Sequence, residues 1–482
     1  MTGTSKNERP FTSDSVDYDF NLGIRGFKYS DLYDAVKLRE IAEKFYGEVK
    51  EKNPVLSEAL TKYIAARGSG YEARVESKIL TDGAPYLSDF VARMFGIGGE
   101  RDELQNEILK QNPVWAYKFF VQRRAIKKFT AETIVDFNEA ELTLALTELK
   151  NTAFSQTLVH DEELAVAEIA VQLLEAEEIL TKNLEMTERA QKTLGKISAA
   201  YDALKDKTFG AVFSRYILES EETGELLQVK AVLHLLEAWS AIQFFGKKKR
   251  WHSLKTPHGL DYQNLVHLIH PREDVPELLR GANEELRQRD GFKLTDDRGT
   301  MRDSLYEVDY CLICHEREKD SCSTGLHEKD GSPKRNSLGI KLEGCPLDEK
   351  ISEMHLLKRQ GDSIASLALV TIDNPMCAGT GHRICNDCMK GCIFQKQDPV
   401  NIPLAETATL TDVLNLPYGF EIYSLLTRWN PLNARRPYAL PYNGKNVLVV
   451  GLGPAGYTLA HYLLNEGFGV IGVDGLKIEP LP

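Results

Sequence analysis

The stretch "NPMCAGTGHRICNDCMKGCIF" (374–394) carries four of the chain's eight cysteines, and the other four lie just upstream at Cys311, Cys314, Cys322 and Cys345. No cysteine occurs anywhere else in the 482 residues. Thiols gathered at short spacings within one segment share a task. In a reducing compartment that task is metal binding or redox chemistry rather than a disulfide framework.

Eight thiols in two groups of four match two four-iron clusters, because each 4Fe-4S centre takes four thiolates and a C-x2-C turn lets two sulfurs reach neighbouring irons. Cys311 and Cys314 form one such pair, and Cys385 and Cys388 form another. Cys345 precedes Pro346, which places it at a turn or a helix start, where backbone amides favour an anionic group. The alternative is zinc. Cys311, Cys314, Cys385 and Cys388 would make a tetrahedral site, with His315, His327 or His382 in reserve. That reading leaves four thiols without work, and it makes the protein a zinc-stabilised helical scaffold or interaction protein without redox activity.

Around the cysteines the composition is that of a globular chain, with 42% hydrophobic and 27% charged residues. The length suggests about three domains. No window approaches the ~18 apolar residues that a membrane helix requires. The opening residues are polar and acidic, so a cytoplasmic location is the default expectation. With 59 Lys and Arg against 71 Asp and Glu, the net charge of -12 argues against broad attraction to nucleic acid. The one basic cluster, Lys247 to Arg250, reads as a solvated helix end or loop and is given no function.

The fold class expected is mainly α. Residues 1–27 read as a flexible tail, and 28–300 as a helical domain whose punctuation is "GSG" (68–70), "GIGG" (96–99) and "NP" (112–113). Val166, Ile169, Leu173, Ala176 and Leu180 form one apolar stripe. Leu194, Ile197, Tyr201 and Leu204 form a second after a break near Met186, which predicts an antiparallel helical hairpin. His267 and His270 stand three apart, a spacing that puts two imidazoles on one helix face, but no acidic or thiol partner accompanies them and surface histidines are the simpler expectation. His160, His234, His252 and His258 show no ligand pattern. Residues 272–310 are charged and turn-rich, a linker with one short helix.

At 446–475 the chain reads "NVLVVGLGPAGYTLAHYLLNEGFGVIGVDG". Val447 to Val450 predict a strand, Tyr457 to Glu466 a helix and Val470 to Val473 a second strand. Between the first strand and the helix, Gly451, Gly453 and Gly456 supply G-x-G-x-x-G, with Pro454 and Ala455 inside the turn. The three glycines serve a tight turn, close approach of a pyrophosphate to backbone, and close helix–strand contact, while Asp474 is placed for ribose hydroxyls. Only eight residues follow Asp474, so 441–482 reads as an incomplete, Rossmann-like βαβ unit. The rest of such a fold is expected from a longer polypeptide or from another chain.

The order of "CLIC" (311–314), Cys322, "GCPL" (344–347), "NPMC" (374–377), "ICNDCMKGC" (384–392) and "PVNIPLAE" (399–406) resembles the double-cluster domain of the glutamate synthase small subunit and of dihydropyrimidine dehydrogenase. The resemblance runs from about 305 to 482, whereas residues 1–300 resemble no family. It implies a double 4Fe-4S domain over 301–440 and FAD on the glycine turn. It also implies an NAD(P)H oxidoreductase passing electrons from FAD through two clusters to an acceptor, with no catalytic acid or base and with a redox partner protein or further subunit. All eight cysteines are then ligands, and Glu406 is a ninth candidate. Relatives cross ligands between the two sequence blocks, so that Cys345 can join Cys385, Cys388 and Cys392 while Cys377 or Glu406 completes Cys311, Cys314 and Cys322. Two features depart from the family. One is the polar insertion 323–344 between Cys322 and Cys345, which reads as a surface loop. The other is Asp474, which stands where the family usually carries Glu.

Overall fold

A computed structural model describes residues 19–154, 160–220, 222–247, 249–257, 259–282, 291–292, 299–317, 320–381 and 384–475. Most of the expected tail, together with His258, Lys248 and His382, lies outside these residues.

The chain is mainly helical. Its helices begin where short polar side chains can satisfy the first backbone amides. Asp34 accepts from the amides of Val36 and Lys37. Asn53 accepts from Leu56, with Pro54 in the first turn, and Asp161, Thr187, Asp362 and Asn401 cap later helices in the same manner. The predicted punctuation falls at boundaries. Gly96 is left-handed (φ 69°) at the end of Ala73–Phe95, and Asn112 opens Asn112–Phe120.

The two apolar stripes form packed helices, Glu162–Lys182 and Glu188–Leu204, joined at left-handed Asn183. Val166, Ile169, Leu173, Ala176, Leu194, Ile197 and Leu204 are buried, while Leu180 and Tyr201 flank the core. His267 and His270 instead border a two-residue strand, Leu268–Ile269, and are exposed; no helix forms there.

Two buried cores organise the molecule, and they do not follow sequence order. One runs from Ile108 to Ile242 and takes in Leu305. The other joins Leu22 to Ile97 with Val308 to Ala434, and includes five of the cysteines. The helix Met301–Tyr310 serves both, giving Leu305 to one and Val308 to the other. The N-terminal helices are fastened to this second core by long-range bonds. The Ser88 hydroxyl donates to Asp362 at 2.6 Å, Tyr46 to the Pro431 carbonyl at 2.8 Å, and the Trp429 indole to the Leu38 carbonyl at 3.0 Å.

His355, in the helix Ile351–Arg359, is fully buried in this core, and both ring nitrogens lack a hydrogen-bond partner among the described residues. Burial first, and then the Arg359 cation, push its pKa down to about 3. A histidine in the unfolded chain binds a proton below about 6.5. Between about 6.5 and 3 the unfolded state therefore holds the extra proton, and stability falls as pH falls through that window. His355→Leu is expected to stabilise the protein by roughly 1–3 kcal/mol near neutrality, because an unsatisfied buried polar ring is removed. The gain should grow on acidification. Urea denaturation of both proteins at about pH 7 and about pH 5 reads both effects.

At the C-terminal end, Asn446–Val450 and Gly469–Val473 pair in parallel, Asn446 opposite Gly469 and Val450 opposite Val473, with the helix Pro454–Asn465 between them. The helix starts three residues earlier than predicted because Gly453 caps it and Pro454 fits its first turn. Leu448, Val450 and Ile471 remain exposed. The sheet holds only these two strands among the described residues, so a Rossmann fold is not shown. Two strands offer no switch-point crevice.

Candidate functional site

The eight cysteines are reduced thiols, brought together by short turns around the Ile351–Arg359 helix and its neighbours. Cys311 ends the Met301–Tyr310 helix. Ile313 is left-handed (φ 48°), a costly conformation for a β-branched residue. It folds the turn so that the Ile313 amide donates to the Cys311 sulfur at 3.4 Å. Cys322 lies in the short helix Ser321–Thr324, and Cys392 leaves Asp387–Gly391 in an extended conformation.

These four, Cys311, Cys314, Cys322 and Cys392, line one narrow cavity whose other walls are mostly apolar, including Ile351, Phe394 and Val400, with Ser321 and Ser352. The remaining thiols form a second neighbourhood. Cys345 and Cys385 both act on Cys388, and Glu349 and Glu406 act on Cys377 and Cys388. The thiols group across the two sequence blocks through Cys392. It joins the first three cysteines, while Cys345 goes with Cys377, Cys385 and Cys388. This also corrects the zinc arrangement, since Cys311 and Cys314 line a cavity that Cys385 and Cys388 do not. Among the described residues no three His, Cys, Asp or Glu side chains converge closely enough to hold a metal ion.

Three glycines make the arrangement possible, and nothing in the cysteine spacing announced them. A Cβ on Gly391 would lie 2.4 Å from the Ser321 carbonyl oxygen, and one on Gly344 2.5 Å from the Gly325 amide. One on Gly325 would meet the Glu343 carbonyl at 2.6 Å. Backbone therefore touches backbone where the Cys322, Cys345 and Cys392 segments meet, and the Cys345 amide donates to the Cys322 carbonyl at 2.8 Å. The signal was present as "GCP" and "KGC", glycine immediately before a ligand-type cysteine. The insertion 323–344 is an exposed loop with two isolated bridges, His327–Pro333 and Arg335–Lys341.

Burial sets the chemistry of the thiols. It pushes Cys311 and Cys345 up to about 12 and Cys322 well above the usual thiol range, with the neighbouring Asp320 and Cys311 adding to the rise at Cys322. Cys377 and Cys388 move the same way for the same first cause. All five are neutral near pH 7, and a bound cation is what would make them thiolates. Beside the second set, Glu406 and Glu349 are buried together; burial raises both, and Glu349 raises Glu406 further. Asn374 donates to Glu406 at 3.2 Å.

The glycine turn packs its own backbone closely. Gly451 is left-handed (φ 93°), and a Cβ on Gly456 would stand 1.8 Å from the Gly451 carbonyl oxygen. Asp474 accepts from the Leu452 amide at 2.6 Å, which fixes the turn from the end of the second strand. The Lys247 to Arg250 cluster stands at the end of Gly224–Gly246, where Lys249 pairs with Glu162 at 2.7 Å.

Residues 22–96 match the RP005 N-terminal alpha-helical domain family. The uncharacterized protein RP006 of Rickettsia prowazekii (strain Madrid E) is 62% identical over 106 residues, 22% of this chain and 15% of RP006. The uncharacterized protein RP005 of the same organism is 27% identical over 298 residues, 59% of this chain and 81% of RP005. The chain thus spans a small part of RP006 and most of RP005. No solved structure matches.

These findings overturn the family resemblance. No iron–sulfur or flavin family matches, and the matched family covers helices in the part of the chain expected to resemble none. Cysteine spacing reports the turns that thiols need, which unrelated chains can share. It does not report descent.

Proposed function

We propose that the protein is an electron carrier that holds two 4Fe-4S clusters on its eight cysteines. Cys311, Cys314, Cys322 and Cys392 would bind one cluster, and Cys345, Cys377, Cys385 and Cys388 the other. The observation that carries the reading is the narrow cavity onto which four thiols from three separate segments open. Its apolar walls suit a group that must be kept from water, and the neutral buried thiols suit a site charged only when metal binds. Such clusters accept and donate single electrons.

The chain's own residues would set the rest. The Ile313 amide donates to the Cys311 sulfur, a contact of the kind that tunes cluster potential. Burial raises Glu349 and Glu406 and so reduces the negative charge beside the second set. Gly451, Gly453 and Gly456 would take the pyrophosphate of a dinucleotide such as FAD, Gly453 standing in open space at the N-terminus of Pro454–Asn465. A second reading, a zinc scaffold, leaves four of the eight thiols without work; the described residues hold no converged site for either metal, so iron and sulfide would have to draw the thiols together.

Anaerobic reconstitution with iron and sulfide tests the proposal. The expected product is brown and is bleached by dithionite. A colourless protein that takes up zinc in place of iron contradicts it.

A further inference from the structure

Between Glu237 and Asp261 the chain carries no acidic residue, and within that span "KKKRWHSLK" (247–255) gathers positive charge in a protein whose net charge is -12. The segment curls around a cavity of about 470 Å³, within the roughly 300–1,000 Å³ of small-molecule sites. Lys247, Lys249, Arg250 and Lys255 all line it, so the two ends of the segment meet at one space. Phe244 and Trp251, both half-buried, give that space an aromatic wall.

The curl is anchored from beneath. The helix Gly224–Gly246 ends at left-handed Lys247 (φ 51°), and beyond it the Ser253 amide and hydroxyl donate to the buried Glu163 at 2.7 and 2.8 Å. The protein has used its cations there unequally. Lys249 pairs with Glu162 and sits 4.8 Å from the Trp251 ring, and Lys255 reaches Asp303 only at 4.0 Å. Lys247 and Arg250 are exposed, and their side chains make no hydrogen bond or ion pair among the described residues. Asp303 is the one carboxylate among the described residues of the lining, and its oxygens are already taken: His252 holds one at 2.7 Å, and the Thr300 amide and hydroxyl donate to the other at 2.8 Å. Positive charge therefore stands uncompensated beside aromatic rings. Lys and Arg bind phosphate through charge-assisted hydrogen bonds, and nucleobases stack on aromatic side chains.

We propose that this cavity binds a nucleotide carrying several phosphates, with the phosphates along Lys247, Arg250 and Lys255 and the base against Trp251. The acidic surplus of the whole chain favours such a ligand over a nucleic-acid strand, whose further phosphates would be repelled by the rest of the surface. Binding needs neither the clusters nor the glycine turn.

Four probes test it on the iron-free full chain by calorimetry at low salt: ATP, tripolyphosphate, adenosine and an oligothymidylate. ATP should bind, tripolyphosphate should bind about 10-fold more weakly for want of a stacked base, and adenosine should not bind at millimolar concentration. The double variant Lys247→Glu/Arg250→Glu changes two exposed residues and should weaken ATP about 10-fold or more, the factor for one charge-assisted hydrogen bond. Trp251→Ala should bring ATP down to the level of tripolyphosphate. Four results overturn the proposal: no binding of ATP at millimolar concentration, tripolyphosphate or adenosine as tight as ATP, ATP binding indifferent to the double variant, which would place the nucleotide elsewhere, and an oligothymidylate tighter than ATP, which would assign a nucleic-acid strand. A protein that binds ATP in this manner but takes up no iron would sink the cluster reading and leave this one standing, and a brown protein that does not bind ATP would do the reverse.

Discussion

Replacing Cys392 by serine should halve the iron held by the reconstituted protein, from about eight atoms per chain to about four. Cys392 belongs by sequence with Cys385 and Cys388, but it opens onto the cavity of Cys311, Cys314 and Cys322. Double variants separate the spatial partition from the sequential one. Cys311→Ser/Cys392→Ser removes two ligands of one set and should retain about four irons, whereas Cys388→Ser/Cys392→Ser damages both sets and should retain almost none. Were the sets drawn in chain order, the two results would be exchanged. Iron analysis after desalting, with circular dichroism to check the fold, reads the outcome.

Trp429→Ala should cost about 3–5 kcal/mol of stability, the range for truncating a buried large aromatic. Trp429 has no exposed surface, stacks on Phe90 at a centroid distance of 5.9 Å, and donates its indole N–H to the Leu38 carbonyl. The truncation opens a cavity where the N-terminal helices meet the segment that follows the cysteines, and it leaves the Leu38 carbonyl without its donor. Trp251→Ala, only partly buried beside the other core, should cost less. Denaturant unfolding monitored by circular dichroism gives the stability change. A loss under about 1 kcal/mol would mean that the two segments are not joined as described.

Much of the helical architecture was legible because it is written locally. The stripes through Val166 and Leu194 and the glycine stops each constrain a turn or a face, and no tertiary contact overrides them. The strand, turn and helix around Gly451 were legible for the same reason. The cores were not, since the pairing of Leu22–Ile97 with Val308–Ala434 is made by contacts such as Trp429 to Leu38, between residues 391 apart. The His267–His270 spacing misled because it fits a helix face only where a helix exists.

For the site, the eight cysteines were visible, but their grouping was not. Which thiols share a cavity depends on Gly325, Gly344 and Gly391, whose missing side chains let three loops touch. Glycine before cysteine hints at such contact without saying which loop is met. Glu349 escaped notice altogether, because a single glutamate in a charged sequence gives no sign that it will be buried beside Glu406. The family resemblance failed at the same point: spacing describes local turns, and the comparisons place the chain beside uncharacterized Rickettsia proteins instead.

The proposed electron carriage depends on iron and inorganic sulfide held by these thiols. Iron and acid-labile sulfide, measured together on anaerobically reconstituted and desalted protein, test it most directly. About eight of each per chain is the predicted result. A chain that retains neither, with all eight thiols still open to alkylation after unfolding, would contradict it.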